Sequence, residues 1–219
     1  MPSPSIRAAV LIAAVLTGGA LSTSSASAAT VTTTLSAAVG DLPGASEQRT
    51  GYDRDLFRHW VDADGDGCDA REEVLIAEAT TRPSVGSGCA LSGGRWSSYY
   101  DGATWTAPSD LDIDHMVPLA EAWDSGARTW SSADRQSYAN DLGDDRTLVA
   151  VTDNVNQAKG DQDPAEWEPP TTGVRCRYAA EWVAVKLRWR LTVDTTERSA
   201  LRARAVGCPS TRITVSTAH

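Results

Sequence analysis

Histidine is scarce in this chain, with only His59, His115 and His219 among 219 residues. No His-Glu-x-x-His run exists, which excludes the usual helical zinc-peptidase arrangement. A three-histidine zinc site would have to use every histidine, including the terminal one. Cysteine is equally sparse. Cys68, Cys89, Cys176 and Cys208 include no C-x2-C pair, which argues against a four-thiolate zinc site. There is one phenylalanine, and no internal repeat is visible. No stretch after residue 28 approaches the roughly 20 apolar residues that span a bilayer.

The first residues carry an export pattern. Arg7 supplies a positive start, Ala8 to Leu16 an apolar run, and Ala26-Ser27-Ala28 an A-x-A cleavage site. Residues 1–28 are therefore predicted to be a signal peptide. The mature protein is expected to be secreted, free of the membrane once the signal is removed, and monomeric. About 190 residues then remain, enough for one domain with a sizeable core. An even cysteine count in an exported chain favours two disulfides. The expected pairs are the nearest neighbours, Cys68–Cys89 and Cys176–Cys208.

The formal charge of −9 is unevenly spread. Residues 41–170 carry ten Lys/Arg against twenty-six Asp/Glu, whereas residues 171–219 carry nine against three. An acidic body suits metal binding, and a basic C-terminal third suits a phosphate-facing surface. Arg175, Arg177, Lys186, Arg188 and Arg190 are the candidates for backbone contact. An acidic exported protein is also simply soluble, and a basic helix face is often only solvated.

Residues 29–50, rich in Ala, Ser and Thr, read as a flexible lead-in to a domain over 51–219. Tyr52 to Trp60 is expected to be a short helix with Leu56, Phe57 and Trp60 inward. A further helix is expected over Arg71 to Thr80. Leu111 to His115 alternates as a strand. Pro118 to Trp123 and Ser131 to about Asn140 read as helices, Thr147 to Val151 as a strand and Asn154 to Lys159 as a helix. Cys176 to Leu191 has helical spacing at Tyr178, Trp182, Val185 and Trp189. Asp194 with Glu197 opens a last helix that stops near Gly207.

Two segments carry chemistry: Leu111-Asp112-Ile113-Asp114-His115-Met116-Val117-Pro118-Leu119, and Asn154-Val155-Asn156-Gln157-Ala158-Lys159-Gly160-Asp161. Phosphodiester hydrolysis needs a base of near-neutral pKa to take a proton from water, and histidine supplies one. It also needs a hard cation on oxygen ligands to neutralise the growing negative charge. Asp114, His115 and Asn156 have those chemistries. The flanking carboxylates are expected to raise the pKa of His115.

Asp114-His115 followed by Val117-Pro118-Leu119, then Asn156-x-x-Lys159-Gly160 after a β-prone run, resembles the HNH endonuclease motif. The similarity is closest to secreted actinobacterial-type members, which share an Asp-Pro-x-x-Trp-x-Pro-Pro stretch like Asp163 to Pro170. The resemblance implies an α+β chain with a ββα-metal core, embedded in a mainly helical single domain with short strands. It implies that His115 activates water and that Asp114 and Asn156 bind one divalent metal, magnesium or manganese. Lys159 would meet a phosphate or brace the site. Asp112, on the same strand face as Asp114, would orient the ligands, add a metal bond, or lie on the surface. The substrate implied is DNA, with RNA as a second candidate, cut with little sequence preference. Thr147 departs from the family pattern, standing where many relatives have a supporting asparagine. Asn140 or Asn154 could replace it.

Asp62-x-Asp64-x-Asp66-Gly67 with Glu73 fits positions 1, 3, 5, 6 and 12 of the twelve-residue calcium loop. Asp69 occupies position 8, where an apolar residue normally stands. A structural calcium site and a hydrogen-bonded turn leading into the Arg71 helix are both open here. The calcium site carries the alternative function, a non-catalytic exported calcium-binding protein.

Overall fold

Two short strands and the helix after them organise the fold. In a computed structural model, which describes Met1 and residues 30–218, the Asp-x-Asp-His strand pairs antiparallel with the apolar run that follows Arg146. The predicted signal peptide falls outside the described residues. In chain order the elements are β1 (Thr30–Thr34), α1 (Leu35–Asp41), α2 (Ala70–Glu78), β2 (Ser84–Val85), β3 (Leu91–Ser92), β4 (Trp96–Ser97), β5 (Thr104–Trp105) and β6 (Leu111–His115). There follow α3 (Leu119–Asp124), α4 (Ser132–Ala139), β7 (Leu148–Thr152), α5 (Asp153–Lys159), α6 (Arg175–Arg188), α7 (Thr195–Val206) and β8 (Arg212–Ser216). The strands form antiparallel pairs, β1 with β8, β2 with β3, β4 with β5 and β6 with β7. The chain is thus an α+β single domain, and β6, β7 and α5 make its ββα unit.

The β6–β7 ribbon is buried on both faces. Leu111, Ile113, Leu148 and Ala150 pack with Val74 and Leu75 of α2. Val149 and Val151 face the larger core, with Tyr178, Trp182 and Val183 of α6. Double-sided burial explains why Leu148 to Val151 is an unbroken apolar run. Tyr178, Trp182, Val185 and Trp189 all lie in the core, as the spacing predicts. The disulfides are Cys68–Cys89 and Cys176–Cys208, the expected pairs.

The lead-in reading of residues 29–50 needs correction. Thr30–Thr34 pairs with all of β8, and Thr34 caps α1 by accepting the Ala37 N–H. Leu35, Ala38, Val39 and Leu42 are buried. Their i, i+3, i+4, i+7 spacing is a helix face, hidden by the small residues around it. The expected helix over Tyr52 to Trp60 is also corrected, to a single 3-10 turn at Arg54–Leu56. Phe57 is buried there, but Leu56 is exposed.

Glu78, at the end of α2, accepts the Ala150 N–H at 3.0 Å and so satisfies a donor on the open edge of β7. Burial raises its carboxyl to about 7. The folded chain therefore holds a proton that the unfolded chain releases near its ordinary, lower pKa, and stability falls as pH rises through 7. His115 acts with the opposite sign. Burial lowers its pKa to about 3, so its contribution is lost only as pH falls below its unfolded value near 6.5. The unfolding midpoint is thus expected to be higher at pH 6.5 than at pH 8, with Glu78→Gln reducing the difference. Thermal scans at the two pH values check this, and a midpoint that rises toward pH 8 contradicts it.

Candidate active site

Strand alternation sends Asp112 and Asp114 to the face of β6 covered by α5. Asn156 Nδ2 donates to Asp112 Oδ2 at 3.3 Å. Lys159 Nζ, one turn further along α5, donates to Asp114 Oδ1 at 2.8 Å and to the carbonyls of His115 and Met116, each at 3.1 Å. Tyr100 donates its hydroxyl to the other Asp114 oxygen at 2.5 Å. Burial pushes the Asp114 carboxyl up and the Lys159 ammonium down, and each partner opposes the other's shift. Three acceptors for three N–H bonds fit a charged lysine. Lys159 is fully buried, so of its two expected roles the geometry favours bracing. Gly160 ends α5 at φ 54 and ψ −133, a conformation that glycine adopts without strain.

His115 closes β6 opposite Leu148. Its Nε2 lies 2.9 Å from the Ala139 carbonyl, which only accepts, so Nε2 carries the hydrogen and Nδ1 the lone pair. The ring is walled by Trp60, His59 and Tyr138. The expected upward shift of its pKa is corrected here. Burial dominates, Arg54, His59 and Lys159 add to it, and the result is about 3. The imidazole is therefore a neutral acceptor.

Of the two candidate supporting asparagines, Asn140 is the one next to the carbonyl bonded to His115. Its Oδ1 accepts the Val61 N–H at 2.9 Å, and its Nδ2 donates to the Arg58 and Gln136 carbonyls at 2.8 Å. It thus ties the segment carrying His59 and Trp60 to the end of α4, one residue from the carbonyl that holds His115. Thr147 instead gives its hydroxyl to Asp141 Oδ2 at 3.1 Å.

An open cleft of about 180 Å³ gathers Arg54, Asp114, His115, Asn156, Gln157, Gly160 and Asp161. Arg54 has no sequence signal, being fifty-seven residues or more from the strand and on a turn. Among the described residues no carboxylate makes a salt bridge with it. The donor chemistry suits a hard cation. Among the described residues Asn156 Oδ1 accepts no hydrogen bond, and each Asp114 oxygen keeps a second lone pair.

The basic helix is less available than its charge suggests. Lys186 is fully buried, its ammonium ringed by Glu121, Ser125, Glu197 and the Thr192 carbonyl within 2.9 Å, so its expected phosphate contact is withdrawn. Core acids explain that lysine, which composition alone counted as surface charge. Arg175 pairs with Glu168 and Arg188 with Asp141. Arg177 pairs with Glu181 and lies 3.9 Å over Tyr99. Arg190 is exposed.

At the acidic loop, oxygens of Asp62, Asp64 and Asp66 lie within 4.8 Å of one another. Each of these aspartates also accepts backbone N–H groups, from Gly65 and Gly67, from Asp66, and from Cys68. Glu73 stands with Asp66 and the disulfide-bonded Cys68, not with the aspartate trio. The loop forms a hydrogen-bonded turn whose aspartate trio keeps the grouping a cation would need, and it leads to the Asp69–Glu72 capping box of α2.

A family model described as GmrSD restriction endonucleases, C-terminal domain, matches residues 72–204. The chain belongs to this family. The match contains β6, β7, α5 and every site residue from Asp112 to Lys159, and leaves Arg54 and Asp62 to Asp66 outside it. An uncharacterized secreted protein of Arthroderma benhamiae is 51% identical over 158 residues, covering 72% of this chain and 76% of that protein. No solved structure matches the chain.

Proposed function

We propose that this protein is an exported endonuclease of the HNH type that hydrolyses phosphodiester bonds in DNA, and in RNA, with little sequence preference. The observation that carries the reading is His115, with one ring nitrogen bonded to a fixed carbonyl and the other unprotonated, in a cleft shared with Asn156 and Arg54. The family match supports nuclease chemistry, and the disulfides and the named secretion of the relative support export.

His115 Nδ1 takes a proton as a water oxygen bonds to phosphorus, and the phosphate anion in the cleft raises its proton affinity above the resting value that burial sets. The Ala139 carbonyl then stabilises the imidazolium that forms. The bond from phosphorus to the 3′-oxygen breaks, and that oxygen takes a proton from solvent, leaving a 5′-phosphate and a 3′-hydroxyl. Asp114 and Asn156, with Asp112 behind Asn156, would hold a magnesium or manganese ion, which when bound neutralises charge on the phosphate. Lys159 fixes Asp114 in place. Arg54 holds the phosphate from the opposite wall. Arg175 and Arg177, both partly exposed, are the candidates to meet the strand outside the cleft.

Plasmid and single-stranded RNA digestion with added magnesium or manganese, and with EDTA, tests this reading. Cleavage with either ion, its loss in EDTA and a rise in KM for Arg54→Ala are expected. DNA and RNA left intact by mature protein in both metals would overturn the assignment.

A further inference from the structure

Four separate segments bring five carboxylates together behind the cleft. Glu47 lies between α1 and the Arg54 turn, Glu121 and Asp124 on α3, Asp163 after α5, and Asp194 at the N-cap of α7. Oxygens of Glu47, Glu121 and Asp124 lie within 4.8 Å of one another, and so do those of Glu47, Asp163 and Asp194. None of these residues belongs to the catalytic cleft. Arg49 separates the two places, donating to Asp124 Oδ2 at 2.6 Å and lying 3.6 Å from Asp161 at the cleft wall.

The protein's own cations satisfy this cluster only in part. Arg49 takes one oxygen of Asp124, and Lys186 donates to Glu121 Oε1 at 2.8 Å. Asp163 and Asp194 each accept a backbone N–H, from Ala165 and Glu197. Arg198, nearby, is held by the carbonyls of Val39 and Leu42. Glu47 has no salt bridge among the described residues. Asp124 is 4% exposed, and its Oδ1 is buried with no hydrogen-bond partner. A buried carboxylate oxygen without a donor is costly unless a positive charge meets it. The crowding shows in Glu47, whose carboxyl is raised to about 7 by burial and by Glu121, Asp194, Asp124 and Asp163.

We propose that Glu47, Glu121 and Asp124 bind one hard divalent cation, calcium, at a site distinct from the catalytic metal. Calcium accepts six to eight oxygens in flexible geometry, whereas magnesium demands a near-ideal octahedron. Ligands from separate segments, completed by water, suit calcium. Solvent reaches Glu47 through an open cleft of about 320 Å³ that also includes Ser46, Asp194 and Arg198. The bound ion pins the segment after α1 onto α3.

Calcium titration of EDTA-stripped mature protein, by calorimetry and by thermal unfolding, tests the site. Saturable binding and a raised midpoint are expected. Glu47→Gln, an exposed and structurally mild change, is expected to weaken binding by about 10-fold or more, and Asp124→Asn likewise. Asp62→Asn with Asp64→Asn, and separately Asn156→Ala, are expected to leave the Glu47-dependent binding event unchanged. Absence of saturable calcium binding would overturn the proposal. So would undiminished binding in Glu47→Gln, or loss of binding in the Asp62/Asp64 or Asn156 variants alone. These readouts do not depend on hydrolysis, so failure of the nuclease reading leaves them intact.

Discussion

His115→Ala is expected to lower the rate of plasmid cleavage by about 10²–10⁴-fold, the usual contribution of a positioned general base. The ring is buried against Trp60 and Tyr138, so alanine also leaves a cavity. His115→Gln separates the two effects. A glutamine amide reaches toward the Ala139 carbonyl as the Nε2–H does, but it has no basic nitrogen. It should fold with a nearly unchanged unfolding midpoint and still lose the activity. Added imidazole should restore part of the rate to the alanine variant. A glutamine variant with full activity would show that water is activated by another group.

The second large effect concerns stability. Lys159→Met is expected to destabilise the fold by about 3–5 kcal/mol, because it leaves the Asp114 charge buried without its cation. The lysine is 0% exposed and its three acceptors are all internal. Urea denaturation measures the cost. Adding Asp114→Asn to Lys159→Met should recover part of it, since the second change removes the stranded charge. A lysine that served mainly to contact phosphate would behave otherwise. Its loss would raise KM and reduce the salt dependence of cleavage, with a cost under about 1 kcal/mol in urea. That result would return Lys159 to the substrate face.

Local signals in the chain carried a long way. Ser131 and Asp194 each precede a helix and each caps it. Alternation in Leu111 to His115 and the apolar run after Thr147 marked the two strands of the ββα unit. The polar run from Asn154 to Lys159 marked the helix, and the structure turns Asn156 and Lys159 toward β6. The lead-in was misread because Leu35, Ala38, Val39 and Leu42 are thinly spread among small residues. The partner that orders β1 is β8, at the far end of the chain. Arg54 escaped notice for a similar reason, since only folding carries its turn to the wall of the cleft.

By itself the sequence determined the candidates for the base and for the oxygen donors beside it, the two strands and the helix of the ββα unit, and the cysteine pairs. Those depend on residue type and on spacings of a few residues, which the chain carries locally. Tertiary structure alone decided which charges face water. Lys186 and Lys159 look like surface cations until Glu121, Glu197 and Asp114 close on them. It also decided the proton affinity of His115. The acids beside it in sequence would raise that affinity, but burial removes the water that would solvate the imidazolium, and burial wins.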